Sequence, residues 1–209
     1  MAVASYALCT LAQLKTEIPT ITDSSQDTFL ESLIDRVSRR FETLTRRKLV
    51  ARTYKSSGAA APAENLVLNG EDRITPSRFL FPHPPLNSIT SLVIWNRALD
   101  DSTTLDISTD TAFEPSTGRV DLIDGDTFTL GFQNIKAEWN SGYTTIPEDL
   151  RDAAVVQCVF EFQKRDRARH GLSSTSFEGE SVSYLTPDSA TVALLPEVYQ
   201  AVMHYKVTR

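Results

Sequence analysis

Apolar positions recur along this chain in two rhythms, and the change of rhythm divides it into three stretches. Leu30, Leu33, Ile34, Val37, Phe41 and Leu44 follow at three- and four-residue steps, the spacing of one face of a helix. Arg36, Arg39, Arg40 and Glu42 fall mostly off that face. Asp23 and Gln26 have capping-box spacing ahead of it, with Asp in place of the usual Ser or Thr. Arg46, Arg47 and Lys48 close it with the charge that the C-terminal end of a helix dipole favours. A shorter amphipathic helix is expected over residues 6–15, with Tyr6, Leu8, Leu11 and Leu14 as its apolar residues. Pro19 ends it, because the residue before a proline is pushed away from the α region.

Beyond residue 48 the period falls to two. Residues 53–55, 66–68, 88–95, 119–123, 128–130 and 135–139 read as short strands punctuated by Gly, Pro, Asn and Asp. Leu92 and Ile94 on one side, with Val93 and Trp95 on the other, suggest a strand covered on both faces. Ile135, Ala137 and Trp139 alternate with Lys136 and Glu138, so that strand should expose one face. Residues 57–63 are expected to form a mobile loop of small residues, and residues 100–115 a solvated loop or edge hairpin. Residues 81–85 hold three prolines and must be extended.

Helical spacing returns at Pro147, well placed at a first helical position. Glu148, Asp149 and Asp152 put negative charge on the positive end of the dipole, and Gly171 is the expected left-handed stop. Between them Ala153, Ala154, Val155, Val156, Cys158, Val159, Phe160 and Phe162 are apolar on almost every side. A helix of that kind is covered from several directions. Residues 172–187, rich in Ser and Gly, are either flexible or ordered only by a partner. A final helix opens near Pro196 and carries Val198, Tyr199, Val202, Met203, Tyr205 and Val207. Helices, then strands, then helices make the fold class α+β.

At 209 residues the chain fits one domain, or one domain with an insertion, and can bury a core without disulfides or metal. Its net charge of −6 disfavours a dedicated nucleic-acid binder. The same charge suits a protein that DNA merely passes, since each neutralised phosphate would act as a brake. No apolar run approaches the ~18 residues of a membrane span, and residues 1–14 lack the basic start of a signal peptide. The expected setting is the cytoplasm, or something assembled there. Cys9 and Cys158 fall in different predicted helices and are expected to be buried, reduced thiols.

Candidate chemistry is sparse. Neither GxxxxGK[ST] nor GxGxxG occurs. His83, His170 and His204 are isolated, so no metal site is expected; His83 reads as a surface loop residue and His170 as a helix-end charge. Asp124, Gly125 and Asp126 lack the remaining spacing of a calcium loop and read as a plain turn. Lys164, Arg165, Arg167 and Arg169 have two readings: a solvated helix end, or a contact with passing DNA or an acidic partner. No catalytic residue and no cofactor is expected, and the chain does not read as an enzyme.

Four stretches, taken in order, carry a resemblance. They are Leu11-Ala12-Gln13-Leu14-Lys15, and Phe41-Glu42-Thr43-Leu44-Thr45-Arg46-Arg47 followed by an extended strand with Tyr54. The third is Pro84-Pro85-Leu86-Asn87-Ser88-Ile89-Thr90-Ser91-Leu92. The fourth is Gly142-Tyr143 with Ile146-Pro147, Asp149-Leu150 and Ala153. Over nearly its whole length the chain resembles the head–tail connector, or adaptor, family of tailed bacteriophages. It departs from that pattern at Arg46-Arg47, where a Thr-Gly-Arg ending is more usual, and in a longer β-rich middle.

The resemblance implies a single connector domain: a helical core of about four helices (1–48 and 147–209) with a β-rich insertion (49–146) between the second and third. It implies a dodecameric ring beneath the portal protein, coaxial with it around the DNA channel, assembled in the host cytoplasm and sited at the head–tail junction of the virion. The C-terminal segment would then meet the portal through Leu194, Leu195, Tyr199, Val202, Met203, Tyr205 and Arg209, and the opposite face would receive a neck or tail-completion protein. Tyr199, Met203 and Tyr205 are amphipathic anchors of the kind that carry interface energy. On this view residues 196–209 could be removed without unfolding the rest. The alternatives are another phage neck or tail-completion protein, or a cytoplasmic binding module without enzymatic activity.

Overall fold

The computed structural model describes residues 4–21, 23–56, 64–96, 101–123, 125–169, 174–177, 180–183 and 194–207, with only the backbone at Asn65, 166–169, 174–177 and 180–183. In chain order the elements are α1 (Leu11–Glu17), α2 (Asp27–Thr45), β1 (Arg52–Lys55), β2 (Glu64–Asn65), β3 (Arg78–Leu80), β4 (Leu86–Asn96) and β5 (Asp101–Leu105). They continue with β6 (Thr111–Glu114), β7 (Arg119–Leu122), β8 (Ile135–Ser141), α3 (Glu148–Arg169), β9 (Ser174–Phe177), β10 (Glu180–Ser183) and α4 (Pro196–His204). The class is α+β. By internal contacts the chain divides into a helical unit, Met1–Arg46 with Ile146–Arg209, and a β unit, Arg47–Thr145.

In the helical unit, α1 starts later than its apolar pattern predicts because Thr10 and Gln13 form a capping box. The Thr10 hydroxyl accepts from the Gln13 amide at 3.2 Å, and Gln13 Oε1 accepts from the Thr10 amide at 2.9 Å. Tyr6 therefore lies in a turn, and Leu8 and Cys9 are buried ahead of the helix rather than on it. Asp23 does not cap α2; its carboxylate accepts from the backbone and hydroxyl of Ser25 instead, and the helix starts after Gln26. Leu30, Leu33, Ile34, Val37 and Phe41 are all buried on one face, as the spacing predicts. Arg46, at φ 58°, ends α2 in the left-handed region.

The long helix α3 packs against α1, α2 and α4. That threefold cover is why its middle is apolar on several sides: Leu150, Ala153, Ala154, Val155 and Cys158 are buried. The helix α4 begins with Pro196 at its first turn and turns Val198 and Val202 inward. Its start is held by Gln157, a buried side chain whose Oε1 accepts from the Leu195 amide at 3.1 Å. Its end is held by the Tyr205 hydroxyl, which donates to the Asp149 carboxylate at 2.6 Å, and by the Val207 amide on Thr45 O at 3.2 Å. Within the Ser- and Gly-rich stretch, β9 and β10 pair as an antiparallel hairpin; its remaining residues, and the expected loop 57–63, lie outside the described residues.

The β unit contains a five-stranded sheet, β2-β1-β8-β4-β5, and a three-stranded sheet, β3-β7-β6. Inward residues of both, including Trp139, Leu92 and Ile135 from one and Phe79 and Val120 from the other, form a single core. The β8 alternation is borne out, with Ile135, Ala137 and Trp139 inside. Of the two readings for residues 100–115, the loop gives way to the edge: β5 is an edge strand of the five-stranded sheet, paired with β4, and β6 an edge strand of the three-stranded one, paired with β7. Residues 128–130 are not a strand, and residues 66–68 pair only in part: the Leu66 amide donates to Lys55 O at 2.9 Å, and Leu68 forms a lone bridge with Ile135. The strand β3 was not legible, because a three-residue run with one buried side chain, Phe79, shows no period. His83 is not a free surface residue; its Nδ1 accepts from the Lys48 amide at 3.1 Å and its ring lies 5.5 Å from that of Tyr54. At Gly142 (φ 105°) a Cβ would stand 2.6 Å from Val50 O, so the turn into α3 requires glycine.

Candidate interaction surfaces

Nothing among the described residues assembles into a catalytic constellation. No group of three or more His, Cys, Asp or Glu side chains could hold a metal ion there, and no helix there is long and apolar enough to cross a membrane. Asp126 and Asp101 both border a pocket of about 240 Å³ beside β4 and β5, without a third acid. The two cysteines meet although they lie 149 positions apart in sequence: the Cys158 thiol hydrogen-bonds to Cys9, and that bond together with burial raises the pKa of Cys158. A thiol so held stays protonated and unreactive.

The polar chemistry that exists holds elements together. Glu161 on α3 accepts from Arg36 at 2.9 Å and Arg40 at 2.6 Å, both on α2, and from Gln157 at 3.2 Å. In the β unit, Asp121 on β7 accepts from Arg119 at 2.9 Å and from Arg78 on β3 at 2.7 Å. Those two guanidinium groups, Arg119 first, hold the Asp121 carboxyl below its usual range.

Besides the basic end of α3, three surfaces remain for a partner. On α4 the seven candidate residues separate. Leu194 and Val202 are buried, and Tyr205 is bonded to Asp149. Tyr199 is 37% exposed, with Leu195 and Met203 half-buried; Arg209 lies outside the described residues. At the end of α3, Lys164 is exposed, while the Arg165 guanidinium lies 3.8 Å from the Phe29 ring centroid. The side chains of Arg167 and Arg169 are outside the described residues. The second surface is a groove of about 610 Å³ between α1 and α3, floored by Val155, Val156 and Val159. The third is the loop of residues 127–134 in the β unit, which exposes Leu130 and Phe132. Sequence reasoning missed the last two. Phe128, Leu130 and Phe132 alternate like a strand, and only Gly131 and Asn134 hinted at a loop.

Among the described residues, then, the fold has four helices in one unit, with a two-sheet β unit between the second and third of them in the chain. No family profile matches the sequence, and no curated protein matches it. Solved structures do. One is a chain of the neck of an empty GTA particle computed with C6 symmetry, at TM-score 0.57 and 14% identity, covering 100% of this chain and 94% of that one. Another belongs to the neck of a native GTA particle computed with C12 symmetry, at TM-score 0.57 and 15% identity, covering 100% and 93%. A third, from the virion of a native gene transfer agent particle, has TM-score 0.56 and 16% identity, covering 100% and 94%. At such identity the likeness is one of fold.

Proposed function

We propose that this chain is a structural, non-enzymatic protein of the neck of a phage-like particle: a head–tail connector that forms a ring, a dodecamer, beneath the portal protein and lets DNA pass through its channel. The observation that carries this reading is the match over the whole chain to neck chains, one of them in a particle neck of C12 symmetry. The four-stretch resemblance to connector proteins supports it as well, from observations other than the fold comparison.

The portal contact falls to the outward side of α4: Leu195, Tyr199 and Met203, with Arg209 at the chain end. Leu194 and Val202 shape that face from beneath, since both are buried. A neck or tail-completion protein takes the opposite end of the ring. Lys164, with Arg165, Arg167 and Arg169, is the candidate contact for DNA or an acidic partner. The net charge of −6 keeps such contact weak and transient. Monomers remain soluble and order on the portal in the host cytoplasm, and the ring stays at the head–tail junction of the virion.

Electron microscopy of the purified chain mixed with the portal protein of its own particle tests this. Twelvefold rings stacked on the portal are expected. A chain that stays monomeric and unattached over the portal at saturating concentration overturns the reading.

A further inference from the structure

Solitary exposed apolar side chains are ordinary on a protein surface. Leu130 and Phe132 are not solitary: they stand 67% and 59% exposed on one short loop. That loop is also held firmly from inside. Asn134 is buried; its Nδ2 donates to Thr129 O at 2.7 Å and Thr129 Oγ1 at 3.0 Å, and its Oδ1 accepts from the Gly70 amide at 2.7 Å. Gly131 O accepts from the same amide at 2.9 Å, and Asn69 Oδ1 accepts from the Gln133 amide at 2.9 Å. An apolar pair fixed in this way loses little further entropy when it is covered, which is the arrangement of a preorganised contact.

The helical unit offers the counterpart. The groove between α1 and α3 has an apolar floor in which Val156 is 42% exposed, with Gln13, Thr16 and Arg151 along its edges. Of the charged side chains that line it, Arg151 pairs with Asp152 at 3.3 Å, and Glu17 is exposed at the rim. The residues beside the exposed pair on the loop, Thr129, Gly131 and Gln133, carry no charge. An uncharged tip seated on the valine floor buries apolar surface on both sides, brings no charge of its own, and leaves the rim carboxylate of Glu17 in water.

We propose that the Leu130–Phe132 tip of one copy seats in the α1/α3 groove of a second copy of this chain, as the lateral contact of the ring. A ring closed by rotation needs a heterologous contact, with one surface giving and a different one receiving. This chain carries both. The inference rests on the neck reading above and adds the residues that join neighbours.

Two variants that each add one cysteine, Phe132→Cys and Val156→Cys, are mixed with the portal and treated with a short bismaleimide. Cys9 and Cys158 are both buried, and the unaltered chain serves as the control for their reactivity. A dimer-sized product is expected only when both variants are present. Separately, the double variant Leu130→Ser, Phe132→Ser and the groove variant Val156→Glu should each keep an unchanged circular dichroism spectrum. Each should also form at least about tenfold fewer closed rings in micrographs. Rings of the double variant as abundant as those of the unaltered chain overturn the inference and leave the neck reading standing. So does cross-linking of residue 132 to the portal or a tail-side protein in place of residue 156. An unaltered chain that forms no ring on the portal overturns both.

Discussion

Val202 and Tyr199 lie three positions apart on α4, and substituting each by Ala separates core from contact face. Val202 is completely buried, whereas Tyr199 is 37% exposed. Truncating Val202 removes two methyl groups, at about 0.8 kcal/mol each, or about 1.6 kcal/mol of transfer energy. The void left between α4 and its neighbours brings the expected loss to about 2–3 kcal/mol. With a urea slope of about 1–3 kcal/mol per molar, the unfolding midpoint should fall by about 1 M, read by far-ultraviolet circular dichroism. Tyr199→Ala, at a side chain that exposes 37% of its surface, should cost about 1 kcal/mol yet weaken attachment to the portal by about tenfold or more. Equal midpoint shifts for the two variants would refute this division of the helix. The same packing argues against the expectation that residues 196–209 can be removed without unfolding the rest: deletion strips away Val198 and Val202 and the Tyr205–Asp149 bond together. Point variants, not truncation, are therefore the test of the portal contact.

Two further outcomes are expected in the β unit, where both tryptophans, Trp95 and Trp139, report local unfolding by fluorescence. Asn134→Ala removes the bonds to Thr129 and Gly70, costs about 2–3 kcal/mol, and should open residues 127–134 to limited proteolysis; an unchanged digestion pattern would show that the loop is held by something else. Asp121 has its pKa depressed by Arg119 and Arg78. Its contribution is therefore complete above the ordinary carboxylate value of about 4 and is lost as the pH falls through the depressed one. Asp121→Asn should flatten that acid limb of the fluorescence titration, and an acid limb identical to that of the unaltered chain would count against the ion pairs.

The sequence by itself determined the elements whose periods are long and one-sided. The stripe from Leu30 to Phe41 and the β8 alternation needed only the repeat of a helix or strand, because burial of one face imposes that repeat on every residue. Pro147 and the acids after it likewise announced α3, and its apolar middle announced cover on several sides. What the sequence left open was which neighbours supply that cover. Thr10 took the helix start from residues 6–9 through a bond that apolar periodicity does not register, and Asp23 lost its capping role to a competing turn with Ser25. The short strands β3, β5 and β6 exist because partners in the sheets satisfy their backbone groups, and a three- to five-residue run holds too few side chains to show a period. On α4 all the apolar residues looked alike in the chain. Only packing against α2 and α3 separated Val198 and Val202, which it buries, from Tyr199, which it leaves partly exposed. The exposed pair at Leu130 and Phe132 is the same kind of result: whether an apolar residue is core or contact is decided by what stands next to it in space.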